Sequence, residues 1–211
     1  MIKLLSLILF LLSSTIDHKV DIINQPVQII REGLPSNTRH LHEGYWIGSF
    51  PNLSQIESLH RHGIRLIVTV THVNPSTLKQ ITTKMHSLNI THLYIPIGSR
   101  FPNLSDKQRS TILNYKPNEI FVHCDHGADR SGVFIAYLLI LRNNYSVSDA
   151  LFSVVSRNQK DRKILHEILS DHGYTVNESH ASKYAGNGGL KLRGDSYKRL
   201  VTTFLKSIRT E

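Results

Sequence analysis

The chain opens with an apolar run, Leu4 to Leu12, set behind a single lysine, Lys3, and ahead of the small polar residues Ser13, Ser14 and Thr15. That is the order of a secretory signal, and the run is too short to span a bilayer comfortably. Residues 1–15 are therefore expected to form a signal peptide or a membrane anchor, and 16–39, with Pro26 and Pro35, a poorly patterned linker. Short β-branched apolar runs then alternate with stretches of helical period. Tyr45 to Ser49 predicts a short strand or edge, and Ser54 opens a helix through His62 that Gly63 ends. Ile64 to Val70 predicts a buried strand, Ser76 or Thr77 a helix to Asn89, and His92 to Ile97 a strand stopped near Pro96. A helix is expected from Ser105 and Asp106 to Tyr115, broken by Pro117, and a buried strand from Glu119 to His123.

From Ser131 to Asn143 the sequence is apolar on nearly every face, as in a helix wrapped by the rest of a fold. Helices over Ser148–Arg157 and Asp161–His172, the latter closed by Gly173, complete the pattern. Strands alternating with helices predict an α/β domain over 40–175, its central, mainly parallel sheet flanked by helices. Residues 176–211 form a C-terminal extension. In it Gly186 to Asp195 reads as a flexible link, and Leu200, Val201, Phe204, Leu205 and Ile208 recur at the spacing of an amphipathic helix that docks on the domain rather than on a membrane.

Composition narrows this picture. A chain of 211 residues suits one domain with a short appendage and needs neither disulfides nor metal to build a core. The net charge of +9 would suit nucleic acid, an anionic membrane or an anionic substrate. The basic residues are scattered, however, so no nucleic-acid partner is expected and the charge reads as a solvated surface. The thirteen histidines form no paired Cys/His pattern, and His60 and His62 are too close for helical ligands, so neither metal nor cofactor is expected. A single cysteine cannot form an internal disulfide, which fits export. A secreted or periplasmic protein is expected, with a membrane-anchored one as the alternative.

That cysteine, Cys124, stands in "IFVHCDHGADRSGVF", where a buried strand gives way to a buried helix. Ligands in α/β folds bind at such places. A turn there aims successive backbone N–H groups inward, and the helix terminus adds positive potential, so Asp125, His126, Gly127, Ala128 and Gly132 are candidate substrate-binding residues for a tetrahedral oxyanion. Gly127 and Gly132 permit a tight turn and close approach. Arg130 offers a planar fork for two phosphate oxygens. A thiol in that field is a candidate thiolate, suited to in-line attack on phosphorus. His123 would orient it from behind, and the Ser131 hydroxyl would donate to the sulfur as an intermediate breaks down.

The run "HCDHGADRSG" resembles the His-Cys-x5-Arg-Ser/Thr-Gly signature of cysteine-dependent protein tyrosine phosphatases, and 40–175 resembles their compact dual-specificity branch, particularly bacterial members with Gly-Ala-Asp-Arg in the loop. The resemblance implies a nucleophile at Cys124, a phosphate-binding Arg130, a release-assisting Ser131 and no metal. Low-molecular-weight phosphatases and arsenate reductases fit less well, since their cysteine lies near the N-terminus. The family's usual acid, an aspartate about thirty residues before the cysteine, is missing: Ile97 to Ser105 has no carboxylate. Asp106, Asp125 and Asp129 remain. The spacing Cys-x-x-Gly-x-Asp-Arg resembles myotubularin-type phosphatases, which places Asp129 first. The expected activity is hydrolysis of phosphomonoesters, phosphotyrosine and also phosphoserine or phosphothreonine on a protein partner, through a cysteinyl-phosphate. A phosphoinositide or inositol-phosphate phosphatase is one alternative, and a non-catalytic phosphoprotein-binding module is another.

Overall fold

The computed structural model describes residues 33–98, 100–177, 189–192 and 194–209. The expected signal or anchor at 1–15, and most of the linker after it, lie outside the described residues. Among those described, no helix is long and apolar enough to cross a membrane. Five strands, β1 (Arg39–His40), β2 (Trp46–Gly48), β3 (Leu66–Thr69), β4 (Thr91–Tyr94) and β5 (Ile120–His123), form one sheet in the order β1-β2-β5-β3-β4. Only β1 runs antiparallel to its neighbour; the remaining pairs are parallel. Seven α-helices are described: α1 (Leu53–Arg61), α2 (Pro75–Ser87), α3 (Asp106–Leu113), α4 (Asp129–Asn143), α5 (Val147–Val154), α6 (Gln159–Asp171) and α7 (Asp195–Ile208).

The side-chain alternation of the strands divides the core into two layers. Ile47, Leu66, Val68, Ile120 and Val122 face the layer that holds α4 and the helices after it. Ile67 and Phe121 face the other, with Ile56 and Leu59 of α1 and Ile81 and Met85 of α2. Helix α4 is buried without a break from Ser131 to Leu139, as its uniformly apolar sequence requires. Central strand β5 lies between β2 and β3, with Val122 in register with both Ile47 and Val68. The loop leaving the end of β5 is thus held at the middle of the sheet.

Helix starts move by a residue or two where a better cap precedes the one expected. The Asn52 side chain accepts from the Gln55 N–H at 2.9 Å, and the Gln55 side chain accepts from the Asn52 N–H at 2.9 Å. This reciprocal box starts α1 before Ser54. Asn74, followed by Pro75, does the same for α2.

The link expected over Gly186–Asp195 is different from a flexible one where it is described. Leu190 and Leu192 have no exposed surface. The Leu190 N–H donates to the Val154 carbonyl (3.2 Å), its carbonyl accepts from the Ser156 N–H (2.8 Å), and the Leu192 N–H donates to the buried carboxylate of Asp161 (3.0 Å). Two leucines and a strand-like pairing outweigh the glycine-rich composition, because their burial is favourable at roughly 1.5–3 kcal/mol per side chain. Helix α7 then docks as its period predicts, burying Leu200, Val201, Phe204 and Leu205. The Phe204 ring lies 5.0 Å from that of Phe101, edge to face.

Candidate active site

The loop between β5 and α4 is pinned from outside. The Asp125 carbonyl faces the Phe50 N–H at 3.5 Å, the His126 carbonyl accepts from Asn37 Nδ2 at 3.0 Å, and the Gly127 carbonyl accepts from Arg39 Nη2 at 2.7 Å. A trans peptide points its N–H opposite to its carbonyl, so these contacts turn the N–H groups of His126, Gly127 and Ala128 to the inner side of the loop. Gly127 is required twice over. Its φ is +65°, and a Cβ there would stand 2.1 Å from the backbone carbon of Gly48. Helix α4 begins at Asp129, not Ser131, and no side chain caps it. Its first N–H groups are therefore left to the loop, and Asp129, Arg130 and Ser131 stand in its opening turn.

Cys124 is 4% exposed, and its Sγ lies 3.4 Å from the Oγ of fully buried Ser131. Arg130 Nη1 donates to Thr71 Oγ1 (2.8 Å) and to Asp125 Oδ2 (2.9 Å), and the Thr71 hydroxyl donates to Asp125 Oδ1 (2.9 Å). This closed triangle orients the guanidinium. The ion pair in it is too exposed to contribute much stability. Arg39 is a second cation at the loop. Burial lowers its pKa, while the charges of Cys124 and Asp129 push it back up.

The three aspartates separate by environment. Asp106 is an exposed helix-start residue of α3, behind the capping Ser105, and does not line the cleft. Asp125 accepts at both oxygens, from the Thr71 hydroxyl and from Arg130, and so is engaged in orienting the guanidinium. Asp129 lines the cleft, with Oδ1 accepting from the Lys191 N–H at 3.2 Å. Burial pushes its pKa up, against the opposing pull of that N–H, Lys191, His126 and Arg130.

His123 lies behind the loop, wholly buried. Its Nε2 is 2.8 Å from Thr69 Oγ1, which is also 2.8 Å from His92 Nε2, and His92 Nδ1 is 2.9 Å from Thr82 Oγ1. A hydroxyl has one hydrogen, so at least one of the two facing Nε2 atoms carries a proton. Burial first, then neighbouring His92, lowers the His123 pKa to about 3; burial lowers that of His92 to about 4. Both rings are neutral at ordinary pH.

Cys124, Asp125, His126, Asp129 and Arg130 line a cleft of about 320 Å³ together with Gly98 of the upstream loop and Ser196, Tyr197 and Leu200 of α7. Gly127 and Ala128 contribute inward-facing backbone N–H groups rather than side chains. Gly132 lies in the first turn of α4, where its N–H donates to the Ala128 carbonyl at 3.0 Å and so is not offered to the cleft; a Cβ at this position would meet the Leu190 Cβ at an ordinary contact distance of 3.5 Å. Arg39, Thr69, Thr71, His92 and Tyr197 are contributions that motif reading does not reach. Thr69 and Thr71 had one available signal, since Thr69 ends β3 and Thr71 follows it at the sheet edge that borders the loop.

No family model matches the chain, and no curated protein matches it. Among solved structures, PTPMT1 is similar with a TM-score of 0.49 and 17% identity, covering 82% of this chain and 96% of that one. A mutant form of Tk-PTP gives 0.47 and 13%, covering 82% and 97%. The core catalytic domain of the PP-IP phosphatase SIW14 from S. cerevisiae, in complex with citrate, gives 0.40 and 17%, covering 66% and 94%.

Proposed function

We propose that the protein hydrolyses phosphomonoesters through a cysteinyl-phosphate, as a protein-tyrosine or dual-specificity phosphatase does. The observation that carries this is the convergence of Cys124, Arg130 and Asp129 on one cleft, on a loop whose N–H groups face inward at a helix N-terminus. The phosphoryl group sits on the inner N–H groups and the free part of the Arg130 fork. The Cys124 thiolate attacks phosphorus, the bond to the ester oxygen breaks with its electron pair on that oxygen, and Asp129 supplies the proton. A water then attacks phosphorus and gives its proton to the Asp129 carboxylate. The sulfur leaves as a thiolate, with the Ser131 hydroxyl donating to it.

Among the described lining residues the charged groups are two aspartates and one arginine, with no lysine. Such a lining suits one phosphoryl group better than the several of an inositol phosphate or phosphoinositide. Export or membrane anchoring through 1–15 remains part of the proposal and places the phosphorylated partner outside the cytoplasm or at its membrane.

The test is Cys124→Ser. Turnover of an aryl phosphate should vanish while vanadate or phosphate still binds, because the cradle is backbone N–H and Arg130 rather than sulfur. A serine variant that kept most of its rate would exclude the cysteinyl-phosphate. A wild-type chain that binds phosphopeptide without turnover would be the binding module instead.

A further inference from the structure

The upstream loop reaches this cleft at Gly98, while Ile97, Phe101 and Leu104 on either side are buried in the core. The C-terminal segment lines the same cleft. That segment is built in rather than laid on. Leu190 and Leu192 are inside the core, Leu190 bridges to Val155, and Phe204 packs on Phe101. From this anchorage two things reach the reacting centre. The Lys191 N–H holds Asp129 Oδ1, and the first turns of α7 present Ser196, Tyr197 and Leu200. Tyr197 is itself steadied, half-buried and packed against the apolar core in the first turn of α7.

We infer that Tyr197, backed by Leu200, is a specificity-determining wall that receives the leaving group, so that the C-terminal segment sets the preference for esters with a flat apolar group next to the phosphate. This rests on the phosphatase proposal for the chemistry but not for the contact. A half-buried ring beside an anion cradle offers an aromatic group offset or edge-to-face contact that an alkyl group cannot repeat. The cleft, about 320 Å³, is the size for one small group.

The test titrates the full-length protein with phenylphosphonate and methylphosphonate, which share the oxyanion head and cannot be hydrolysed, and reads the ratio of the two affinities by calorimetry. The wild type should prefer phenylphosphonate. Tyr197→Ala should lower the ratio by about threefold to tenfold, the worth of an aromatic pair, while Tyr197→Phe should keep it. An unchanged ratio in Tyr197→Ala, an equal fall in Tyr197→Phe, or no preference in the wild type would overturn the wall. A wild type that shows the preference but hydrolyses no phosphomonoester would overturn the catalytic proposal and leave the wall standing. A wild type that binds neither phosphonate would overturn both.

Discussion

The loop Cys124–Ser131 and the ring of residues that surrounds it differ in how the chain specifies them. The loop is local: thiol, arginine, hydroxyl and glycine turn lie in one short stretch, so composition and spacing define the chemistry proposed for it. The ring is assembled from afar. Arg39 bonds a loop carbonyl across 88 residues, Thr71 reaches Arg130 across 59, and the Lys191 N–H reaches Asp129 across 62. What the loop can do is written in its own residues; how firmly each group is aimed depends on the ring. Substitutions in the two regions should therefore fail differently, those in the loop by losing a chemical role and those in the ring by losing geometry.

The largest separation is expected at Asp129, a loop residue that the ring holds through the Lys191 N–H. If it protonates the leaving oxygen, Asp129→Asn should slow hydrolysis of alkyl phosphates by about a hundredfold to ten-thousandfold. Activated aryl phosphates, which leave unassisted, should be slowed far less. Asp106→Asn should leave both rates alone, since that residue does not line the cleft. Steady-state kinetics with the two ester classes decide it: equal losses in Asp129→Asn would reduce that residue to a structural brace, and a leaving-group-dependent loss in Asp106→Asn would make Asp106 the acid.

This division also accounts for what could be read from the chain alone. The α/β architecture, the central buried helix and the Cys124–Arg130–Ser131 set are legible in period, burial and spacing, because each is encoded by neighbours in sequence. β1 escapes notice because two residues, Arg39 and His40, carry no periodicity. The segment at 189–192 reads as a link because glycines around it hide two leucines whose burial only tertiary contact reveals. Gly132 looks like a loop glycine, but it lies inside α4 with its N–H engaged by the Ala128 carbonyl. Arg39, His92 and Tyr197 have no motif around them at all.

A smaller effect is expected at Thr71, which belongs wholly to the ring. Thr71→Val removes an acceptor from Arg130 and a donor from Asp125 while keeping the shape of the side chain. A hydrogen bond to a charged group is worth about 1.5–3 kcal/mol, so kcat/KM should fall about tenfold to a hundredfold. The loss should be the same for alkyl and aryl esters, since no proton is involved. A loss confined to one ester class would place Thr71 in the proton transfer and blur the contrast between loop and ring.

The smallest effect on turnover, and the clearest on stability, is expected behind the loop at His92. Buried neutral, His92 and His123 resist protonation until about pH 4 and about pH 3, whereas in the unfolded chain both take a proton near 6.5. Between those values the unfolded state binds more protons, so stability is at its full value above about pH 6.5 and falls as the pH drops toward the folded values. Each such histidine adds up to about 1.4 kcal/mol per pH unit to that slope. His92→Gln deletes one of the two, and an amide can still donate or accept at Thr69. Equilibrium urea unfolding at a series of pH values from about 7.5 to 4.5 should show a shallower acid-side loss in the variant, by about one proton. Its rate with aryl phosphate at neutral pH should change little, because His92 lies two hydrogen bonds behind the loop and outside the cleft. An unaltered slope would mean that His92 is not held neutral in the fold. A large loss of rate with an unaltered slope would make the histidine chain part of the catalytic machinery, not a support for it.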